Sequence, residues 1–452
     1  MSSVVVSLIG DDNMPKHAAP SRFTWGQIAA IVCVGVAGAG TLSNVSRVRA
    51  QTAARSNVTY HKDVEPILQR ACQECHRPGS IAPISLVAFK DVRPWARSIK
   101  TRVARREMPP WYIEKGVGVQ HFKYDRGLSD REIATIVAWV DGGALEGSPT
   151  DAPPARVFTD DDQWTIGKPD LIVSLPKDVT IPSVGPDWWP TYQADIGLTE
   201  DRYIQAVETK PSRSGQRVTH HAATSVTAPD GEEFSLNEYA VGKNGDIFAE
   251  GSGLKIKAHS KIEFNMHYHS IGEELTDRSS VAFKFYPKGY VPPRKLLRTK
   301  AGSTYMDLDI PAGQISRTDG YTTLSQPTVL LSFQPHMHNR GTRLCMEAIY
   351  PDQRIETVSC AKFNFEWMVN YIYDEKEAPL LPAGTILHTI GWHDNTAANK
   401  YNPDPRNWAG FGNRSIDDMS FAWITMYNVS ESEFKTMVDE RKKAMVQSKA
   451  TY

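Results

Sequence analysis

Cysteine is scarce in this chain, with five in 452 residues. They stand at positions 33, 72, 75, 345 and 360, which excludes a disulfide-dense scaffold. Net charge is nearly absent too: 51 basic and 52 acidic residues leave -1. That balance gives no reason to expect a nucleic-acid partner or an acidic membrane surface. Long apolar runs are missing apart from 28–40, which is short for a bilayer span. It follows Lys16 and Arg22 and gives way to small residues ending Val48-Arg49-Ala50. Residues 1–50 therefore read as a secretory signal cut after Ala50, or as an uncleaved anchor. Asp11 and Asp12 suit a signal poorly and point to Met14 as the start. Cys33, inside the apolar run, has no lipoprotein box. The expectation is an exported, periplasmic protein, either tethered or released.

What remains is an ordinary folded composition, 40% hydrophobic and 23% charged, long enough for two or three domains. Helical periodicity is sparse between 151 and 430. Short β-like runs alternate there with Pro, Gly and Asp turns, a pattern of sandwich or jelly-roll strands. Asp151-Ala-Pro-Pro and Asp160-Asp161-Asp162 suggest a linker, and Pro292-Pro293 a seam. The predicted fold is a small all-α domain over 55–150, then two antiparallel β domains over 160–295 and 296–430. A helical tail covers 431–452.

Cys72-Gln73-Glu74-Cys75-His76 is the c-type haem attachment pattern, with His76 as axial iron ligand. A zinc half-site would want a second ligand pair nearby, yet no cysteine follows Cys75 before Cys345. The surrounding sequence resembles the small cytochrome c domains fused to bacterial oxidoreductases. Ser129, followed by an acid at Glu132, caps a helix that would end that domain. Met108, on a stiff Pro109-Pro110 loop, is the candidate sixth ligand; His61 and His121 are its rivals.

Six of the thirteen histidines fall in three clusters: His220-His221, His267-Tyr268-His269 and His336-Met337-His338. After the apolar run 328–333, His336 and His338 share one face of a strand and can grip one metal. Met419, in Asp417-Asp418-Met419, offers a soft sulfur, and two imidazoles with a thioether suit copper. Adjacent histidines on a strand point to opposite faces. His220 and His221 need a bend, a bulge or different ring nitrogens to share an ion. His267 offers a third nitrogen, with His269 as the alternative. Cys345 and Cys360 flank a turn centred near Asp352 and Gln353, so a hairpin sets them opposite each other as a disulfide.

In order and kind these motifs resemble the copper type II, ascorbate-dependent monooxygenases, the peptidylglycine α-hydroxylating and dopamine β-monooxygenase family. The resemblance covers about 160 to 430. It implies two jelly rolls, each holding one copper. His220, His221 and His267 would hold an electron-relay copper; His336, His338 and Met419 would hold the copper that activates O2. The sequence departs from the family at Gln334, where the amidating enzyme has Arg, and at Phe421 and Trp423, where it has Asn and Tyr. The metal sites carry over and the peptide substrate does not. Trp392, Phe421 and Trp423 hint at an apolar pocket, and His393 at a supporting hydrogen bond.

The functional expectation is a monooxygenase acting on a C–H bond of a small molecule with O2. Its cofactors are two coppers and one covalent haem c, which takes electrons from a periplasmic or membrane donor. The alternative is a non-catalytic haem and copper electron-transfer or copper-binding protein. A third reading makes the β domains binding sandwiches with incidental histidines. The sequence carries no signal of oligomeric state.

Overall fold

Strand Thr328–Met337 is buried along its whole length, as an apolar, β-branched run requires of a central strand. It pairs antiparallel with Ser420–Asn428, which continues to Arg294–Ala301 and from there to Ser252–Ile256. The structure is a computed structural model that describes residues 57–450, apart from 79, 81, 159–163, 242, 244 and 303–306. The proposed signal or anchor at 1–50 and the acidic stretch 160–162 lie outside the described residues. Among those described, the strands form sheets of ten, five, four and two.

The ten-stranded sheet crosses the predicted seam. Arg294–Ala301, just after Pro292-Pro293, joins a strand of the first half to one of the second. One apolar core draws Val207, Phe264 and Phe283 from the first half and Phe333 and Ile424 from the second. A helix spans Glu431–Ala450.

The predicted separate all-α domain over 55–150 does not stand. The described residues from 57 onward form one compact unit, made mostly of sandwich-like β-sheets. The stretch has short helices, Glu65–Ala71, Ala96–Ala104 and Asp130–Asp141, and an apolar cluster around Tyr60, Leu68 and Trp139. Ser129 and Glu132 form the capping box that starts the last of these helices. Between them, however, strand Ile113–Gly118 pairs with Ile355–Lys362 at the edge of the five-stranded sheet. Gly118 has φ +63° and lies so close to the Val358 carbonyl that a Cβ would collide with it. Arg343 clamps Glu114 through two hydrogen bonds of 2.6 and 2.8 Å. Trp111 meets Tyr371 edge-on at 5.0 Å, and Phe122 stacks on Tyr373 at 5.4 Å. The helical pattern is legible in the sequence, but not the strand that ties it into the β-structure. A pairing partner so far along the chain leaves no local trace.

Cys345 and Cys360 face each other across Gly341–Ile349 and Ile355–Lys362 and form a disulfide. The bridge closes a loop of sequence separation 15. A Cys345→Ala/Cys360→Ala double variant is expected to lose about 3 kcal/mol of unfolding free energy. Denaturant titration of parent and variant checks this; coincident midpoints would show that the bridge adds nothing.

Candidate metal centre

The first histidine set lies on the four-stranded sheet, on neighbouring strands Thr219–Thr227 and Lys261–Tyr268. His267 stands directly opposite His221, but the next residue, Tyr268, stands opposite Thr219. His220 is therefore the extra residue of a β-bulge. A bulge rotates the chain locally and re-aims a side chain. This turns both neighbouring histidines toward one point, so the bulge is the route by which adjacent residues share a site. Ligating atoms of His220, His221 and His267 lie within 4.8 Å of one another. His269 is not part of this group.

The nitrogens are specific. His267 Nε2 is 2.7 Å from Asp187 Oδ2, which leaves Nδ1 to face inward. Nδ1 of His220, of His221 and of His267 is buried with no hydrogen-bond partner in each case. Burial pushes His220 down to about 4, and the neighbouring His267 and His269 add to the shift. Burial likewise holds His221 well below the usual imidazole range and lowers His267, against the opposing pull of Asp187. All three rings are thus neutral at neutral pH, the form that binds a metal. Three neutral imidazoles with ligating nitrogens close together, one ring braced by a carboxylate, are a donor set that fits a metal ion. Trp189 stacks on His267 at 4.6 Å. Sequence reasoning missed Asp187 and Trp189. They sit 80 and 78 positions upstream of His267 in Pro-Asp-Trp-Trp-Pro, which carries no metal-ligand spacing.

The second set lies on the ten-stranded sheet. His336 is opposite Phe421 and Met337 opposite Ser420, where the pairing ends; Met419 and His338 follow directly outside it. Pairing puts Phe421 on the face that carries His336. Phe421 stacks on His336 at 4.7 Å, and the two imidazoles are 5.5 Å apart, centre to centre. His338 Nδ1 is 3.3 Å from the Asp417 carbonyl, while His336 Nδ1 is buried without a partner. Burial lowers both rings, with the charge of His338 contributing at His336 and Asp418 opposing the shift at His338.

Asp418 holds this corner together. Its buried carboxylate accepts the backbone N–H groups of His338, Arg340 and Met419 at 2.9, 3.2 and 2.9 Å. Burial alone would raise its pKa, but His393 and His338 keep it below the usual carboxylate range. His393 Nδ1 stands 3.4 Å from Asp418 Oδ1, without the alignment of a hydrogen bond. His393 is thus a buried brace behind the second set. Gln334 points elsewhere: its amide donates to the buried Glu238.

The Cys72–His76 turn is a helical one, with the His76 N–H donating to the Cys72 carbonyl at 2.9 Å. His76 Nδ1 is 3.1 Å from the Ile84 carbonyl. An axial histidine needs this anchoring, because it leaves Nε2 for iron. Both thiols are free, and burial pushes Cys72 up to about 12 and raises Cys75. Thiols so protonated make a poor redox dithiol. The donor set fits haem c. His61 is engaged by Glu65 at 2.7 Å and by Glu146 at 3.7 Å, and His121 is exposed beside Glu377. Met108, half-buried before Pro109, is less committed.

No family model matches the chain, and no curated protein matches it. Among solved structures, a recombinant N-glycanase F (PNGase F) aligns at 9% identity over 57% of this chain and 96% of its own, with a TM-score of 0.25. PNGase F described as a glycosylasparaginase from Flavobacterium meningosepticum gives 8%, 56%, 96% and 0.24. An oxalate decarboxylase of Bacillus subtilis, in a single-residue variant, gives 8%, 66%, 86% and 0.13. At such scores these likenesses carry no argument.

Removing one of three converging nitrogens leaves a two-ligand site. His267→Ala is expected to weaken metal binding at the first set by at least about 100-fold, measured by calorimetric titration with cupric ion. Equal affinity in parent and variant would exclude His267 as a ligand.

Proposed function

We propose that this chain is an exported copper-dependent monooxygenase that hydroxylates a C–H bond of a small organic substrate with O2 and receives its electrons through covalently bound haem c. The observation that carries the reading is that ligating nitrogens of His220, His221 and His267 lie within 4.8 Å of one another, on rings whose Nδ1 atoms are buried without a hydrogen-bond partner. The resemblance to copper type II monooxygenases supports it by the order of the motifs. When bound, copper supplies one-electron redox chemistry and oxygen activation, and haem supplies a refillable one-electron store.

The protein's own contribution is orientation and dryness. Asp187 accepts from His267 Nε2 and fixes the ring, leaving Nδ1 as the nitrogen available to a metal. The Asp417 carbonyl fixes His338, and the Asp418 carboxylate fixes the backbone on both sides of the second set. Trp189 and Phe421 cover one face each of His267 and His336 and exclude water there. Gln334, spent on Glu238, does not present a cation to a substrate carboxylate. That argues for a neutral or apolar substrate over a peptide terminus.

Electrons would enter at the His220, His221 and His267 site, with Cys72, Cys75, His76 and Met108 holding the haem.

Purified protein is expected to contain one thioether-linked haem by pyridine haemochrome assay and two coppers by elemental analysis, and to couple O2 uptake to a hydroxylated product. Haem without thioether links, or copper well below two after reconstitution, would overturn the reading. Two coppers with no coupled O2 uptake across small organic substrates would favour a pure electron-transfer protein.

Met419→His should retain copper, because imidazole binds the cupric ion at least as well as a thioether. It should abolish product formation, because oxygen chemistry at the cuprous state needs the softer ligand. Turnover at the parent rate would make Met419 an ordinary core side chain.

A further inference from the structure

The loop 363–370 leaves the five-stranded sheet and reaches the space between the two histidine sets. Its start is held by the Phe363 N–H, which donates to the Thr342 carbonyl at 2.8 Å. Its end is held by Asn370, whose Nδ2 is 3.5 Å from Asp246 Oδ1. At the tip, Asn364 accepts from the Glu366 N–H through Oδ1 and from the Trp367 N–H through its carbonyl, both at 3.0 Å. This turn projects Phe365.

The Phe365 ring stacks on His220 at 4.9 Å with a 29° interplanar angle. It also meets His338 edge-on at 5.7 Å and 66°. One ring therefore touches both sets, although they stand on different sheets. The other aromatic partners are local: Trp189 serves only the first set and Phe421 only the second. Metal ligation requires neither Phe365 contact. The electrostatic influence of His338 on His220, His221 and His267 agrees with this closeness.

We propose that Phe365 is a positioning residue that sets the spacing of the two histidine sets and carries the packed contact by which one electron passes between them. The inference rests on the two-copper reading above. A phenyl ring has two side-chain torsions, so it fixes a gap at small entropic cost. It also fills volume that water would otherwise occupy, and water would reorganise around each change of charge. With copper bound at both sets, one electron would leave the His220 set and arrive at the His336 set. No bond forms or breaks, and Phe365 is unchanged.

Two measurements on full-length Phe365→Ala and Phe365→Tyr test this. In metal-free protein, Phe365→Ala should shift the ring resonances of both His220 and His338 in nitrogen-15 spectra, while Phe365→Tyr keeps them near the parent positions. With cupric ion in both sites, pulsed dipolar electron paramagnetic resonance should show a broadened, shifted metal–metal distance in the Ala variant, with two coppers retained. After rapid reduction through the haem, the cupric signal of the second set should persist longer in that variant. Two bound coppers with an unchanged distance and reduction rate would overturn the proposal. Fewer than two coppers in the parent would instead overturn the two-copper reading. The metal-free spectra then decide on Phe365: shifts at both sets uphold its spacing role, and shifts at one set or neither remove it.

Discussion

Three buried imidazole nitrogens without hydrogen bonds, His220, His221 and His267 Nδ1, are the constraint around which the first half of the chain is arranged. A buried polar atom left unpaired costs about 1–3 kcal/mol. A fold that tolerates three such atoms side by side needs something to offset them, and a cation shared by three lone pairs does so. The geometry depends on one irregularity. Without the bulge at His220, strict alternation would send adjacent histidines to opposite faces and the site would be lost.

The second half answers the same problem differently. His336 and His338 need no bulge, since the two-residue period places them on one face. Their difficulty is the backbone around them, where the chain turns back past Met419. Asp418 satisfies three backbone N–H groups there, and its buried carboxylate lies against His393 and His338. The two devices differ in exposure: Asp187 is half exposed at the rim, whereas Asp418 and His393 are sealed inside.

Integration of the chain bears on function as well. A strand from the haem-motif segment sits in the five-stranded sheet, and a ten-stranded sheet links the two β halves. The Cys motif, the first histidine set and the second are consequently held in one folded unit. They are not left on domains that could drift apart. Under the proposed function, such fixed separation would suit electron transfer, which is steeply sensitive to distance.

Local patterns were sufficient for a good deal. Cys72-Gln-Glu-Cys75-His76 is contiguous, so its thiols and imidazole were readable directly. The strand bearing His336 and His338 followed from its apolar run, the helix after Ser129 from its cap, and the facing of Cys345 and Cys360 from symmetry about a turn. In each case the determining residues lie within one element or one hairpin. Tertiary structure alone decided the rest. It chose the bulge over the other ways of bringing His220 and His221 together, and His267 over His269. It brought Asp187 and Trp189 to His267, and Phe365 between two sheets. It also tied the helical segment into the β-structure, where the sequence had suggested a separate domain. The physical reason is common to all of these. Sheet register and long-range packing join residues tens to hundreds of positions apart, and no periodicity or spacing within a single segment encodes which distant edge it will meet.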